Sequence, residues 1–145
     1  MRIDGTRRHD RATELVLQYY AAFDRGDWDG MLAVLADDVV HDLNQGVRET
    51  GREAFAAFLQ RMQRHYRERL YDIVVMATAD GSRAAAEYRV EGEYLLTDAG
   101  LPEARGQRYR LPGGAFFGIR DERIARVSNY YNLEDWIAQV SGPRP

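Results

Sequence analysis

Cysteine and lysine are both absent from this chain, and all twenty of its basic residues are Arg. The first absence rules out disulfides, a thiol nucleophile and thiolate metal sites. The second closes every route through a lysine Schiff base, among them the lysine aldolases and the pyridoxal phosphate enzymes. Histidine is scarce, with His9, His41 and His65 the only three. They fall on different expected elements and lack H-x-x-x-H or H-E-x-x-H spacing, so no metal ligand set is read. None of Ser82, Ser128 and Ser141 lies in G-x-S-x-G, and neither a P-loop nor G-x-G-x-x-G occurs. No apolar run approaches the roughly 18 residues of a membrane span. The N-terminal MRIDGTRRHDR lacks the apolar core of a signal peptide, which sets the cytoplasm as the expected location. A net charge of −3 gives no reason to expect nucleic acid or an anionic membrane as partner. What remains is carboxylate, phenol, imidazole and amide chemistry, acting by proton transfer and hydrogen bonding without a cofactor.

The length of 145 residues predicts one domain over residues 1–145, long enough to bury a core. Apolar residues spaced three and four apart predict a helix from about His9 to Asp24, carrying Leu15, Val16, Tyr19 and Phe23. Gly26 ends it, and Asp27 can cap a second short helix containing Met31, Leu32 and Leu35. Asp37 and Asp38 mark the turn into a strand, Val39 to Asn44. Thr50 and Glu53 form a candidate capping box for a third helix, about Gly51 to Tyr66. The second half reads as strands over Tyr71–Ala77, Arg83–Leu96, Gln107–Ile119 and Ile124–Tyr131, with Pro112-Gly113-Gly114 a place for a bulge. A helix from Leu133 to Val140 closes the chain. Helices followed by strands predict an α+β cone, a curved antiparallel sheet wrapped around three N-terminal helices. Such a cone encloses an apolar cavity between the first helix and the concave sheet face.

Strand alternation places Asp42 with Val40 and Asn44 on one face, and His41 with Leu43 on the other. A carboxylate on an inward face would be desolvated and poised to take a proton from carbon or to activate a water. The competing reading makes Asp42 a turn carboxylate after Asp37-Asp38, and Tyr19 a core tyrosine on the first helix's apolar face. Tyr88 shares a strand face with Val90 and Tyr94, while Glu87, Arg89, Glu91 and Glu93 form a charged ladder on the other. Asn129 and Tyr131 share a face with Val127, and would either line the cavity mouth or dock the terminal helix. Trp28 reads as cavity wall or core.

Three stretches resemble the NTF2-like, also called SnoaL-like, superfamily and within it the ketosteroid isomerase-related proteins. They are YYAAFDRGDWDGMLAVLADDVVHD, GREAFAAFL and GLPEARGQRYRLPGGAFFGIRDERIARVSNYYN, and the resemblance spans about Leu15 to Val140. It implies that Tyr19 donates a hydrogen bond to a substrate oxygen. It also implies that Asp42, matched with a one-residue deletion, is the general base. Isomerases carry a protonated aspartate near the position of Gly114, where this chain has no carboxyl group; losing one such donor costs on the order of 10²–10³ in rate. A homodimer through the outer sheet face is implied by the same resemblance. The expectation is cofactor-independent proton transfer next to a carbonyl, with Asp42 and Tyr19 catalytic. Asn44, Trp28, Tyr88, Asn129 and Tyr131 would contact a small, mostly apolar carbonyl-bearing ligand. A water-activating hydrolase or hydratase in the same pocket and a non-catalytic binding module are the alternatives.

Overall fold

The computed structural model describes residues 3–142. Its elements are α1 (Ile3–Asp24), α2 (Trp28–Ala33), β1 (Leu35–Asp42), β2 (Arg48–Thr50), α3 (Arg52–His65), β3 (Tyr66–Ala77), β4 (Arg83–Tyr94), β5 (Gln107–Arg120), β6 (Arg123–Tyr131) and α4 (Leu133–Val140). One six-stranded sheet runs in the order β2-β1-β6-β5-β4-β3. Every pairing is antiparallel except β1 with β6. The sheet is therefore mixed rather than wholly antiparallel, because the chain between β1 and β6 crosses the full width of the sheet before returning beside β1.

Local chemistry explains most boundaries. Gly26 takes a positive φ after α1, and the Asp27 carboxylate accepts from the Gly30 amide at 2.9 Å, satisfying one free donor of α2. Asp121 and Glu122, both at positive φ, make the two-residue turn between β5 and β6. The expected capping box of α3 does not form: Thr50 lies in β2, and Gly51 at φ 101 is the N-cap without a side-chain bond. β3 begins at Tyr66, five residues earlier than the sequence suggests. In that stretch Arg67 and Arg69 alternate outward while Tyr66, Glu68 and Leu70 turn inward. Pro112-Gly113-Gly114 causes no break in β5; the sheet irregularities fall at Leu35/Val40, Tyr71/Val74 and Gly118/Ile119 instead.

The core lies between the helices and one sheet face. Leu15, Val16, Tyr19 and Tyr20 of α1 and Phe55 and Leu59 of α3 pack on Ala84, Ala86, Ala115, Phe117 and Val127. A second cluster joins Val90, Tyr94, Tyr109 and Leu111 to Trp136 and Val140 of α4. Trp136 meets Tyr94 edge-on at 4.9 Å, a contact worth about 0.5–1.5 kcal/mol beyond the area it buries. Small residues at 84, 86 and 115 leave α1's tyrosines room against the concave face.

Candidate functional site

Strand pairing defines rows of side chains across the concave face. One row is Ala84, Phe117, Val127 and His41; the next holds Ala86, Ala115 and Asn129; the next holds Tyr88, Gly113 and Tyr131; and farther along come Gly92, Tyr109 and Glu68. His41 is 1% exposed and faces inward with Val39, whereas the side chain of Asp42 is 26% exposed and lies on the other face. The alternation read from the sequence holds, but the face that points inward is the opposite one. Val39 and Val40 are chemically identical starting points for the alternation. The chain shifts register against β6 between Leu35 and Val40, and beyond Asp37-Asp38 the buried positions are Val39 and His41. Asp42 and Tyr19 are therefore on opposite sides of β1.

His41 stacks at 4.4 Å on Phe55 and meets Phe58 edge-on at 4.5 Å. Its Nε2 is 2.9 Å from Nδ2 of Asn129, and its Nδ1 is buried without a partner. Burial, helped by the nearby Arg61 cation and opposed by Asp42, pulls its pKa down to about 4. The imidazole is neutral at pH 7. Phe55 also touches Tyr19, at 6.3 Å between rings, so Tyr19 and His41 share one aromatic wall. Tyr19 further packs edge-on against Tyr20 and Phe117.

The remaining inward polar groups are phenols and one carboxyl. Tyr88 lies 5.5 Å from Tyr20 between ring centres, and the Tyr20 hydroxyl is buried without a well-formed hydrogen bond. Burial raises the pKa of both, Tyr88 to about 12. A Cβ at Gly113 would come within 2.6 Å of the Tyr88 ring, so the glycine lets that ring lie across β5. Glu68, which sequence reasoning passed over, accepts from the Tyr109 hydroxyl at 2.6 Å; burial raises its pKa, and the Tyr109 bond opposes that rise. The alternation of RERL, with Glu68 between two outward arginines, is the signal that could have located it. The alternation sets His41 opposite Asp42, and it is the turning over of the inward face that brings His41 into the site.

Asp42 belongs to a surface network. Arg48 donates to it at 2.6 and 3.1 Å, and Ser128 at 2.7 Å; Arg126 in turn donates to Ser128 at 2.7 Å. The Arg48 bonds, then the Ser128 bond, hold its pKa at about 2. Such a carboxylate is a poor proton acceptor. Asn44 lies in the loop after β1, where its Oδ1 accepts from the Tyr131 amide at 3.2 Å and its Nδ2 is buried without a partner. Asp42, Asn44, Arg48, Asn129 and Tyr130 line a groove of about 420 Å³ at this rim. Tyr131 stands at the same rim, partly exposed. Trp28 is elsewhere: its indole donates to Gln63 at 2.9 Å and its ring meets Phe23, tying α2 to its helical neighbours. Gly114 pairs with Glu87 and Tyr130, both exposed, so it belongs to the convex face, and the inward positions beside it are Gly113 and Ala115.

Among the described residues, no group of three or more His, Asp or Glu is placed to hold a metal ion, and no helix is long and apolar enough to cross a membrane. The sequence profile of the SnoaL-like domain matches residues 16–127. No curated protein matches the chain. Among solved structures, a proposed polyketide cyclase from Xanthomonas campestris pv. campestris is 65% identical, with 92% of this chain and 98% of that one covered and a TM-score of 0.89. A second proposed polyketide cyclase, from Pseudomonas putida KT2440, is 63% identical over 89% and 97% of the two chains, with a TM-score of 0.88. An LEH-like epoxide hydrolase from M. tuberculosis, 21% identical over 92% and 91% with a TM-score of 0.69, shares the fold.

Proposed function

We propose that this chain, which belongs to the SnoaL-like family of the NTF2-like superfamily, is a cofactor-independent enzyme that moves a proton at a carbon next to a carbonyl. The observation that carries the reading is the shared Phe55 wall, which holds a neutral imidazole and a phenol on one concave face. His41, oriented by Asn129, takes the proton from carbon. Tyr19 donates a hydrogen bond to the enolate oxygen as charge develops there. Both Tyr19 and its neighbour Tyr20 have pKa values raised by burial, so they stay protonated donors across the working pH range. Tyr88 and Tyr131 contact the ligand on the same face. The ligand is small, mostly apolar and carbonyl-bearing. Isomerisation returns the proton to another carbon of the enolate; ring closure instead lets the enolate carbon attack a second carbonyl, whose oxygen receives the proton. The solved relatives described as proposed polyketide cyclases favour ring closure.

The reading places a second copy of the chain on the convex face. Val74, Met76, Phe116 and Tyr130 are each more than half exposed, and Phe116 and Tyr130 meet edge-on at 5.6 Å. Val74 and Met76 lie on β3, Phe116 on β5 and Tyr130 on β6, in two neighbouring rows with Ala85 and the exposed Glu87 of β4 between them.

The test is exchange of the α-protons of a cyclic monoketone, 2-tetralone, with deuterium, followed by NMR. The intact protein should exceed the buffer rate. His41→Gln should lose on the order of 10²–10⁴ of that excess, and Tyr19→Phe on the order of 10²–10³. Equal rates for the intact protein and His41→Gln would reject the proton transfer and leave a ligand-binding module.

A further inference from the structure

Glu68 is a carboxyl group on the concave face, and among the described residues no arginine pairs with it. The chain has ample arginine to pair with it, yet Arg67 on the same strand reaches Glu93 and Arg110 reaches Glu91, all on the outer face. Among the described residues the groups that face Glu68 are three phenols: Tyr88 from β4, Tyr109 from β5 and Tyr131 from β6. Tyr109 donates to Oε2, and the ring that makes this bond packs on Trp136 of α4. Glu68 is half-buried, and ionising a carboxyl held among rings costs solvation, which favours the protonated form, while the Tyr109 bond works the other way. With Oε2 occupied as acceptor, the carboxyl proton is free to point along the concave face.

We infer that Glu68 is a neutral hydrogen-bond donor that selects ligands with a second, uncharged oxygen, a ketone or ester carbonyl, remote from the carbon that reacts at His41. This rests on the proposed function only in placing a ligand on the concave face. The same geometry disfavours carboxylate ligands, since among the described residues no arginine pairs with Glu68 or is placed to receive one. Burial of Glu68 raises its pKa, in keeping with a protonated group. It also fixes the pH sense: above its own titration Glu68 becomes an acceptor only, and a ligand carbonyl meets a like charge.

Two measurements test this. First, the protein labelled with ¹³C-carboxyl glutamate is titrated by NMR, with the Glu68 signal identified by its loss in Glu68→Gln. The free, intact protein should show Glu68 protonated well above the ordinary carboxylate range; an ionised Glu68 at pH 5 overturns the inference. Second, binding of 2,6-diacetylnaphthalene is compared with that of 2-acetyl-6-ethylnaphthalene, which has the same outline and keeps one carbonyl for Tyr19 but lacks the second. The intact protein should prefer the diketone about tenfold, one good hydrogen bond. Glu68→Gln, whose amide still donates, should keep the preference, and Glu68→Leu should lose it. An unchanged preference in Glu68→Leu overturns the inference, and if that variant does not fold the NMR titration still decides. His41→Gln should leave the preference intact, so a failure of the proton-transfer reading shows in deuterium exchange and a failure of this one in ligand choice.

Discussion

Nε2 of His41 and Nδ2 of Asn129, from strands β1 and β6, lie 2.9 Å apart on a face otherwise built from hydrocarbon, phenols and the Glu68 carboxyl. The parallel pairing makes the contact possible: His41 is level with Val127, so the next inward residue of β6 is Asn129. An amide can meet a ring nitrogen as donor or as acceptor, whichever tautomer the imidazole adopts, but it brings no charge. That is the difference from a carboxylate partner, which would favour imidazolium. The pair thus keeps a proton acceptor neutral inside the cone.

This neutrality has a measurable cost in acid. His41 titrates near 4 in the folded chain against its ordinary 6.5, so between these values the unfolded chain binds more protons. Its contribution is complete above pH 6.5 and is lost as pH falls to about 4, for a total of about 3 kcal/mol. Urea unfolding at pH 7.5, 5.5 and 4 should show that loss. In His41→Gln the part of the slope due to this group should vanish, and an unchanged slope would mean that His41 titrates normally.

Replacing Asn129 with aspartate should move the same group the other way. A carboxylate within hydrogen-bonding reach favours imidazolium, so the His41 pKa should rise by more than about one unit. Two-dimensional ¹H–¹⁵N NMR of the imidazole nitrogens reads this directly. No movement of the His41 titration would mean that the contact does not tune it.

Asp42→Asn should do little. The carboxylate is bonded by Arg48, which is mostly exposed, and by Ser128, so its removal should cost no more than about 1 kcal/mol at pH 7. Its pKa is depressed, so the stability it supplies is present above the ordinary 3.8 and is lost as pH falls toward 2. Exchange activity should stay within about threefold of the intact protein, since the group faces away from Tyr19. A hundredfold loss would restore Asp42 as the base.

Asp42 marks where the sequence stopped being legible. Helix α1 and its tyrosines follow from apolar spacing. Helix α3, strands β4, β5 and β6, and helix α4 follow from alternation and turn residues. All the inward residues of β4 come out on the expected face, Tyr88 among them. The face of β1 could not be read, because Val39-Val40 offers two equivalent phases and the choice between them depends on β6, far away in sequence. β2 has three residues and exists only through its pairing with β1. Glu68 looked like one charge among many in RERL, and only a partner 41 residues away gives it a role. Long-range pairing, rather than local propensity, decided each of these.

On the convex face, Phe116→Glu should separate the two copies expected there. A charge placed at the centre of the patch beside Tyr130 would have to be desolvated on association. Sedimentation should report a dimer for the intact protein and a monomer for the variant. Unfolding of the separated chain should shift by no more than about 0.5 kcal/mol, because Phe116 is already 53% exposed in a single copy. A monomeric intact protein would leave the patch without this partner.

Gly92→Ala tests how the concave face reaches Glu68 at all. Glu68, Gly92 and Tyr109 lie in one row across three strands, so Tyr109 must span about 10 Å of backbone spacing. Its ring does so by lying over Gly92: a Cβ there would sit 2.2 Å from Cζ and 2.4 Å from the hydroxyl. The ring cannot retreat easily, since its hydroxyl is bonded to Glu68 and its other side meets Trp136. The alanine should cost about 1–3 kcal/mol. Tyr109→Ala removes the ring, and in that background Gly92→Ala should cost little, which makes the two substitutions couple by about 0.5–3 kcal/mol. The cycle is read by urea unfolding at pH 7. Additive losses would mean that the ring does not need the glycine, and that some other contact brings the Tyr109 hydroxyl to Glu68.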